Sequence, residues 1–228
     1  NDAAEQVTGG TRFSEYTFRI DTRTAATVLR EQRIARTAID SMVTEPTLTW
    51  GSDVQLAATF PPELSPPTDS SVVIISEELR QLFFDADDIV RIANPYFDPA
   101  ETVIGDLASL PGRGVETRIL TRETASAAGP LEVLNDIFER IPEHRRQLFA
   151  VRDLFQRDSK TGRQAVATHA KVVIADEELC YIGSANLTRT SLSSNFELGV
   201  ILRGEFVSDV ADVFDQVFNS AESVRLPV

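Results

Sequence analysis

From residue 72 onward, short apolar runs alternate with longer segments whose apolar residues recur every three or four positions. The short runs predict β-strands, and the longer period predicts amphipathic helices that bury one face. The predicted strands are Ile89–Asn94, Val115–Thr121 and Gln147–Arg152, and the predicted helices are Glu77–Ala86, 98–110, Pro130–Ile141 and Glu205–Ala221. Strands that alternate with helices are typical of a sheet covered on both faces. The predicted fold class is therefore α/β, a mixed β-sheet flanked by helices on both faces.

The first 66 residues follow a different pattern. In chain order they predict a polar arm (1–21), an amphipathic helix (Thr22–Val43) and two short strands (Thr47–Trp50 and Val54–Phe60). Two proline pairs, at 61–62 and 66–67, then indicate an extended linker. We therefore expect a small N-terminal extension over residues 1–66 and the main domain over residues 67–228.

Three more strands are predicted before the last helix, and polar residues lie at their ends. These strands are Ala167–Ala175, Leu179–Ile182 and Asn195–Leu202. His169 and Lys171 are two residues apart on the first strand, so both side chains leave the same face. Burial of two polar side chains beside apolar neighbours costs free energy that a functional role would justify, so both residues are candidate catalytic residues.

The bend after the second of these strands carries Gly183, Ser184 and Asn186, as G-S-x-N. Gly183 is expected to take a backbone conformation that other residues avoid, which leaves Ser184 and Asn186 on the turn. Glu197 lies on the third strand, and Asp176 follows the first. We expect Asp176 to hold the loop or neighbouring backbone rather than to contact a substrate.

These groups suit the chemistry of a phosphodiester. Lys171 and Asn186 can hold the oxygens on which negative charge accumulates in the transition state. Ser184 can donate to the phosphate or only shape the turn. His169 can attack phosphorus and form a phosphohistidine, and Glu197 is the candidate carboxylate that fixes the histidine tautomer.

The spacing H-x-K-x4-D-x6-G-S-x-N, with N-x-E downstream, resembles the HKD signature of the phospholipase D superfamily. The resemblance implies a metal-independent phosphodiesterase whose active site combines two such motifs. This chain has one motif, because its other histidine, His144, lacks both the spacing and the strand context. We therefore expect a homodimer in which two copies share one site. No cofactor and no metal ion are expected.

Small single-motif members of this superfamily are similar to this chain in size and mostly act on nucleic acid, so the resemblance implies a nuclease. The order of a helical extension before such a domain also resembles DrmC, the phospholipase D-like component of the DISARM anti-phage system, which implies defence-system partners. Two alternatives stay open. One is a phospholipid phosphodiesterase or phosphatidyl transferase, and the other is a DNA-binding or assembly module with little catalysis.

The charge composition restricts how a substrate can be held. The formal net charge is −13, and only Lys160 and Lys171 among the 22 basic residues are lysines. This composition is typical of proteins adapted to high salt, and the alternative is a GC-rich genome that replaces lysine by arginine. It disfavours a broad basic groove, so a polyanion needs a local cluster or else these cations form a solvated face. The candidate cations lie upstream of the motif: Arg145, Arg146, Arg152, Arg157, Lys160 and Arg163, of which Arg157, Lys160 and Arg163 are predicted to bind substrate.

The remaining signals concern location and core packing. No apolar run is long enough to span a bilayer and no signal-peptide pattern opens the chain, so we expect a cytoplasmic protein with no membrane partner. Cys180 is the only cysteine and is expected to be a buried, inert thiol. Tyr96 and Phe97 follow a predicted strand and are expected to pack in the core rather than to stack on bases.

Overall fold

A computed structural model describes residues 4–7, 17–20, 54–126 and 130–226. The chain divides into two compact units, residues 1–49 and 50–228. In the first unit, β1 (Ala4–Val7) pairs antiparallel with β2 (Thr17–Ile20), so the predicted polar arm contains a two-stranded sheet. Two predicted elements lie outside the described residues: the helix Thr22–Val43 and the strand Thr47–Trp50.

The second unit is built on one large sheet. The strands of this sheet are β3 (Val54–Thr59), β4 (Val73–Ile74), β5 (Ile89–Ala93), β6 (Glu116–Thr121), β7 (Phe149–Asp153), β10 (Val172–Ala175), β11 (Leu179–Gly183), β12 (Glu197–Arg203) and β13 (Glu222–Ser223). A separate hairpin pairs β8 (Phe155–Arg157) with β9 (Gln164–Ala167). The helices are α1 (Ile75–Asp85), α2 (Glu101–Arg113), α3 (Leu131–Arg140), α4 (Arg189–Ser193), α5 (Phe206–Ser220) and a 3₁₀ helix at Glu143–Leu148.

The sheet is mixed, as the alternation of elements predicted. Its strand order is β13-β7-β6-β5-β10-β11-β12-β3-β4. Strands β5, β6 and β7 are parallel to one another, and β3 is parallel to β4. The pairings from β5 through β10, β11 and β12 to β3 are antiparallel, as is that of β13 with β7. Strand β10 therefore lies in the middle, where the parallel and antiparallel halves meet.

Helices cover both faces of the sheet. On one face, α1, α2 and α3 bury residues such as Leu82, Leu107 and Leu134 against the strands. On the other face, α5 buries Phe214 and Phe218 in a second cluster. The apolar stripes that predicted these helices are the surfaces that pack, and the predicted α/β class is confirmed.

Strand β3 lies inside this sheet, although the sequence pattern placed it in the N-terminal extension. It pairs with β12 over six residues, from Thr59 opposite Glu197 to Val54 opposite Leu202. The prolines that suggested a domain linker lie in the loop between β3 and its parallel neighbour β4. A parallel neighbour requires a long crossover, and this loop provides it.

A network of ion pairs joins α5 to the sheet. The Arg91 side chain is 7% exposed and donates to Asp215 at 2.9–3.1 Å and to Glu177 at 3.0 Å. Arg118 also donates to Asp215, at 3.0 Å. Burial alone would raise the pKa of Asp215, but the hydrogen bonds and charges of Arg91 and Arg118 outweigh it and hold that pKa below its ordinary value.

No helix of the described residues is both long enough and apolar enough to cross a bilayer.

Candidate active site

The histidine and lysine of the motif lie just before β10 rather than within it. The predicted strand Ala167–Ala175 is divided: β9 ends at Ala167, and β10 begins at Val172. The Thr168 amide donates to the Leu154 carbonyl at 3.1 Å, so the backbone pairing of the β8–β9 hairpin continues one residue beyond β9. Sequence periodicity could not show this division, because both halves are extended.

His169 and Lys171 lie in direct contact. The Lys171 Nζ is 3.0 Å from Nδ1 and 3.4 Å from Nε2 of His169, and it donates to the His169 carbonyl at 2.8 Å. Both ring nitrogens lie within reach of the ammonium, and which of them accepts a hydrogen bond depends on the imidazole tautomer. His169 is exposed, whereas Lys171 is buried. The pair therefore offers a reachable imidazole beside a fixed positive charge.

The environment of Lys171 is unfavourable for its own charge. Burial lowers the pKa of Lys171, the positive charge of Arg122 lowers it further, and the Glu197 carboxylate acts in the opposite direction. A buried ammonium with a second cation nearby gains more than an exposed one when an anion arrives, because less water screens the attraction. The electrostatics of this position favour an anion.

Ser184 and Glu197 are brought together by the pairing of β11 with β12. The Ser184 hydroxyl donates to Glu197 Oε2 at 2.5 Å and accepts from the Leu198 amide at 3.1 Å. The Asn195 side chain donates to Glu197 Oε1 at 3.2 Å, and the carboxylate is buried. Both oxygens of Glu197 thus have a partner within this turn. The role predicted for Glu197 in orienting His169 stays a prediction.

Gly183 is required for a reason other than the one predicted. Its φ is not positive; the described glycines with positive φ are Gly114, Gly162 and Gly204. Gly183 lies opposite Gly199, and the Tyr181 ring lies over both. A Cβ at Gly183 would lie 2.2 Å from the Tyr181 hydroxyl oxygen. That hydroxyl accepts a hydrogen bond from the Ala185 amide at 3.2 Å, so the glycines admit a tyrosine that supports the G-S-x-N turn.

Asn186 leaves a polar atom without a partner. Its side-chain oxygen is buried and has no hydrogen bond within the described residues. The next residue is fixed, because the Leu187 amide donates to Asn94 Oδ1 at 3.3 Å. Rotation of the Asn186 amide would present either its oxygen or its NH₂ group. A buried polar atom without a partner is costly, and such atoms concentrate where a ligand completes the bonding.

Asp176 lies at the opposite end of β10 from Lys171. Its carboxylate accepts hydrogen bonds from the backbone amides of Asp87, Asp88 and Ile89 at 2.7–2.9 Å. These contacts hold the loop between α1 and β5, which is the kind of contact that the sequence led us to expect. The structure separates Asp176 from His169 by the length of the strand.

The three cations predicted to bind substrate lie on the β8–β9 hairpin, which leads directly into His169. Arg157 donates to the Gly162 carbonyl at 3.0 Å and forms an ion pair with Glu123. Lys160 and Arg163 lie near the tip of the hairpin and are exposed.

Arg122 and Tyr96 were missed as site residues. The Arg122 side chain is 11% exposed, and its guanidinium group lies over the ring of Tyr96, at 5.7 Å from the centroid, and over that of Phe155, at 5.3 Å. Tyr96 is 47% exposed, which corrects the expectation that it packs in the core. One signal was available in the sequence, because Arg122 directly follows a strand in the parallel half of the sheet, where polar residues at strand ends converge.

Among the described residues, no group of three or more histidine, cysteine, aspartate or glutamate side chains is arranged to hold a metal ion. Cys180 is buried, and burial raises the pKa of its thiol to about 12. This thiol is therefore protonated and unreactive at neutral pH.

Comparison with known proteins identifies the family. The family described as "Cardiolipin synthase, PLD-like domain" matches residues 79–221. Cardiolipin synthase A of Pseudomonas syringae pv. syringae (strain B728a) is 30% identical over 163 residues, which cover 66% of this chain and 30% of that protein. The chain thus corresponds to less than a third of the length of this curated relative.

Two solved structures have similar folds. Nuc from Salmonella typhimurium, a phospholipase D family member, has a TM-score of 0.54 at 19% identity and covers 75% of this chain and 97% of that one. The phosphatidylserine synthase of Haemophilus influenzae Rd KW20 has a TM-score of 0.56 at 17% identity and covers 75% of this chain and 40% of that one.

The family match over residues 79–221 defines a member of the phospholipase D superfamily, whose members are phosphodiesterases, and the fold agrees with this assignment. Because the match extends over more than half of its length, the chain belongs to the PLD-like domain family of the cardiolipin synthases. The looser resemblance to DrmC, the adaptation to high salt and the cytoplasmic location stay predictions.

Proposed function

We propose that this protein is a metal-independent nuclease that acts through a phosphohistidine, at a site shared by two copies of the chain. The observation that carries the proposal is the distance of 3.0 Å between Lys171 Nζ and His169 Nδ1, with the imidazole exposed and the ammonium buried. This arrangement presents a nucleophile beside a poorly solvated positive charge. A phosphodiester supplies both the electrophilic phosphorus and the anion.

In the proposed mechanism, one His169 attacks phosphorus, and a nitrogen–phosphorus bond forms as the bond to the leaving oxygen breaks. Lys171 and Asn186 stabilise the charge on the equatorial oxygens. The His169 of a second copy donates a proton to the leaving oxygen. It then removes a proton from a water molecule, which attacks phosphorus and releases the histidine.

An apolar surface beside the site supports the pairing of two copies. Leu56, Phe196 and Leu198 are exposed, and Leu56 and Leu198 belong to the paired strands β3 and β12. Glu197 lies between two of these residues in the chain. Exposed apolar side chains on neighbouring strands next to a half-complete site fit burial against a second copy.

The local charge distribution supports nucleic acid as the substrate. In a chain of net charge −13, cations gather on the hairpin that leads to His169, and Arg122 lies close enough to affect the pKa of Lys171. A local cluster of this kind can hold a polyanion where the rest of the surface repels it.

A phospholipid is the second candidate substrate. The named relative is a cardiolipin synthase, and the same apolar residues, Phe196 and Leu198, could contact acyl chains beside the headgroup. Both candidates use the same chemistry at phosphorus, so only the groups around the phosphate distinguish them.

The test is hydrolysis of labelled single-stranded DNA, duplex DNA, RNA and vesicles of phosphatidylglycerol, each with EDTA, at low salt and in molar salt. We expect cleavage of nucleic acid in EDTA and a phosphate adduct on His169 that mass spectrometry detects after acid-free quenching. His169→Ala should abolish both, whereas His144→Ala, which removes the only other histidine, should change neither. Turnover of the lipid alone would favour the second candidate, and a requirement for Mg²⁺ would contradict the mechanism.

The shared site has its own test. Mixed dimers with one wild-type and one His169→Ala chain contain no site with two functional histidines. We expect such dimers to be inactive, and a stable monomer with full activity in sedimentation and kinetics would contradict a shared site.

A further inference from the structure

Four side chains beside the candidate site alternate between aromatic rings and guanidinium groups. Arg122 lies over the rings of both Tyr96 and Phe155, and Arg157 lies over Phe155 at 5.1 Å from the ring centroid. The order is Tyr96, Arg122, Phe155, Arg157, which we call the stacked ladder. Tyr96 at one end is 47% exposed, and the Arg157 side chain at the other end is 55% exposed. Both ends therefore remain open to a further planar or charged group.

The two guanidinium groups of the ladder converge on one anion. The Glu123 carboxylate forms ion pairs with Arg157 and, at 3.5 Å, with Arg122. Arg122 also donates to the Gln164 side chain at 2.6 Å, and its Nε is buried without a partner within the described residues. One carboxylate thus bridges two cations that have further donor capacity, and a phosphate could occupy the same position.

The ladder leads toward the reacting groups. Arg122 follows β6, which pairs with β5, and β5 pairs with β10, the strand that Lys171 precedes. Arg122 and Lys171 therefore lie at one end of the sheet, and the charge of Arg122 acts on Lys171. The other half of the ladder lies on β8 of the hairpin whose second strand leads into His169.

We propose that the stacked ladder binds the single-stranded segment that flanks the scissile phosphate, an inference that rests on the proposed nuclease function. Tyr96 stacks on an unpaired base, and a backbone phosphate displaces Glu123 from Arg157 and Arg122. Stacking needs a base whose face is free, which a duplex does not offer, so the ladder selects single strands. Stacking also persists in high salt, where affinity from counterion release is lost, which suits a chain with a net charge of −13.

Binding can be measured without cleavage in the His169→Ala background, by fluorescence anisotropy of a labelled DNA of about 12 nucleotides, single-stranded or as a duplex. Adding Tyr96→Ala should weaken single-strand binding about tenfold, and Tyr96→Phe should restore it because the ring is kept. Phe84→Ala removes another highly exposed aromatic side chain, on α1, and should have no effect. Equal losses for single strand and duplex, or no loss with Tyr96→Ala, would overturn the proposal.

Substitution of Glu123 provides a sharper test, because the proposal predicts a gain in affinity for single-stranded DNA. Glu123→Gln keeps the shape of the side chain but removes the competing charge, so single-strand affinity should rise several-fold. Arg157→Ala should lower it, and the effect of Glu123→Gln should disappear in the Arg157→Ala background. If Glu123 only supported the hairpin, Glu123→Gln would leave the affinity unchanged or lower it, and that result would overturn the proposal.

The ladder and the proposed nuclease function can fail separately. If wild-type protein cleaves single-stranded DNA but the ladder variants bind as the His169→Ala parent does, only the ladder is wrong. If it turns over bis-p-nitrophenyl phosphate but neither binds nor cleaves any nucleic acid, the nuclease function is wrong, and the ladder proposal falls with it.

Discussion

Strand β10 has a polar cluster at each end, and the two clusters differ in how their charges are paired. At the end that Asp176 occupies, three backbone amides donate to one carboxylate, and nearby Arg91 is paired with Asp215 and Glu177. At the other end, Lys171 contacts a histidine and carries a depressed pKa, and the Asn186 oxygen has no partner within the described residues.

The difference indicates what each end contributes. A buried charge with good partners holds secondary elements together, and removal of one partner leaves the other uncompensated. A buried cation beside another cation costs stability, and an arriving anion relieves that cost. The paired end should therefore govern folding, whereas the unpaired end should govern binding and catalysis.

The largest effect is expected at the unpaired end. Lys171→Met removes the charge that faces the transition state, so kcat on bis-p-nitrophenyl phosphate should fall about a hundredfold or more. The thermal midpoint should stay or rise, because a desolvated ammonium is removed. Arg225→Met, which removes an exposed cation near the end of the chain, should change neither quantity. If the activity of Lys171→Met fell only in proportion to the amount of folded protein, the assignment of the unpaired end to binding and catalysis would be contradicted.

The next largest effect is expected at the paired end. Arg91→Met removes the principal partner of Asp215 and should lower the free energy of unfolding by about 3 kcal/mol, measured by urea denaturation. Activity per folded molecule should be retained. The matched control is Arg80→Met, whose ion pair with Asp106 is 3.4 Å long and whose side chain is 68% exposed, so that its loss should cost at most about 1 kcal/mol. Equal effects of the two substitutions would remove the distinction between the ends.

A smaller loss is expected for Asp176→Asn, because the amide keeps one oxygen acceptor but presents NH₂ to a backbone amide. Stability should fall by about 2 kcal/mol, and Asp212→Asn on the exposed side of α5 should be neutral. The kcat of the folded variant should fall less than tenfold. A hundredfold fall without loss of stability would give Asp176 a direct role in the chemistry and contradict its assignment to the paired end.

The smallest effect concerns pH. Because Arg91 and Arg118 hold the pKa of Asp215 below its ordinary value in the folded protein, the unfolded chain binds the proton more readily. The resulting stabilisation is complete above the unfolded pKa and is lost as the pH falls through the folded pKa. Between about pH 5 and pH 3, the thermal midpoint of Asp215→Asn should therefore fall less steeply than that of the wild type. Parallel curves would show that Asp215 does not contribute to acid sensitivity.

Much of the fold was predictable because it depends on local periodicity. The helix that became α5 and the strand that became β5 carry apolar residues at the spacing that their burial requires. The motif was predictable for a similar reason, since His169, Lys171, Ser184 and Asn186 are defined by their separation along the chain.

Contacts between distant segments were not predictable. The reason for Gly183 depends on Tyr181 and on Gly199 across the strand pair, which no local pattern reports. The exposure of Phe196 and Leu198 has a similar origin, because the cluster under α5 includes Leu202 of β12 but neither of these two residues.

The two outer strands of the large sheet, β4 and β13, are each two residues long. A free sheet edge is a template on which another chain can add a strand and begin a fibre, and very short edge strands offer too few free amides for that addition. The two outermost strands therefore offer little backbone for the addition of another strand. Copies of this chain should therefore associate through side-chain surfaces rather than by extending the sheet. The shape and charge complementarity of those surfaces would then determine how many copies assemble and how they are arranged.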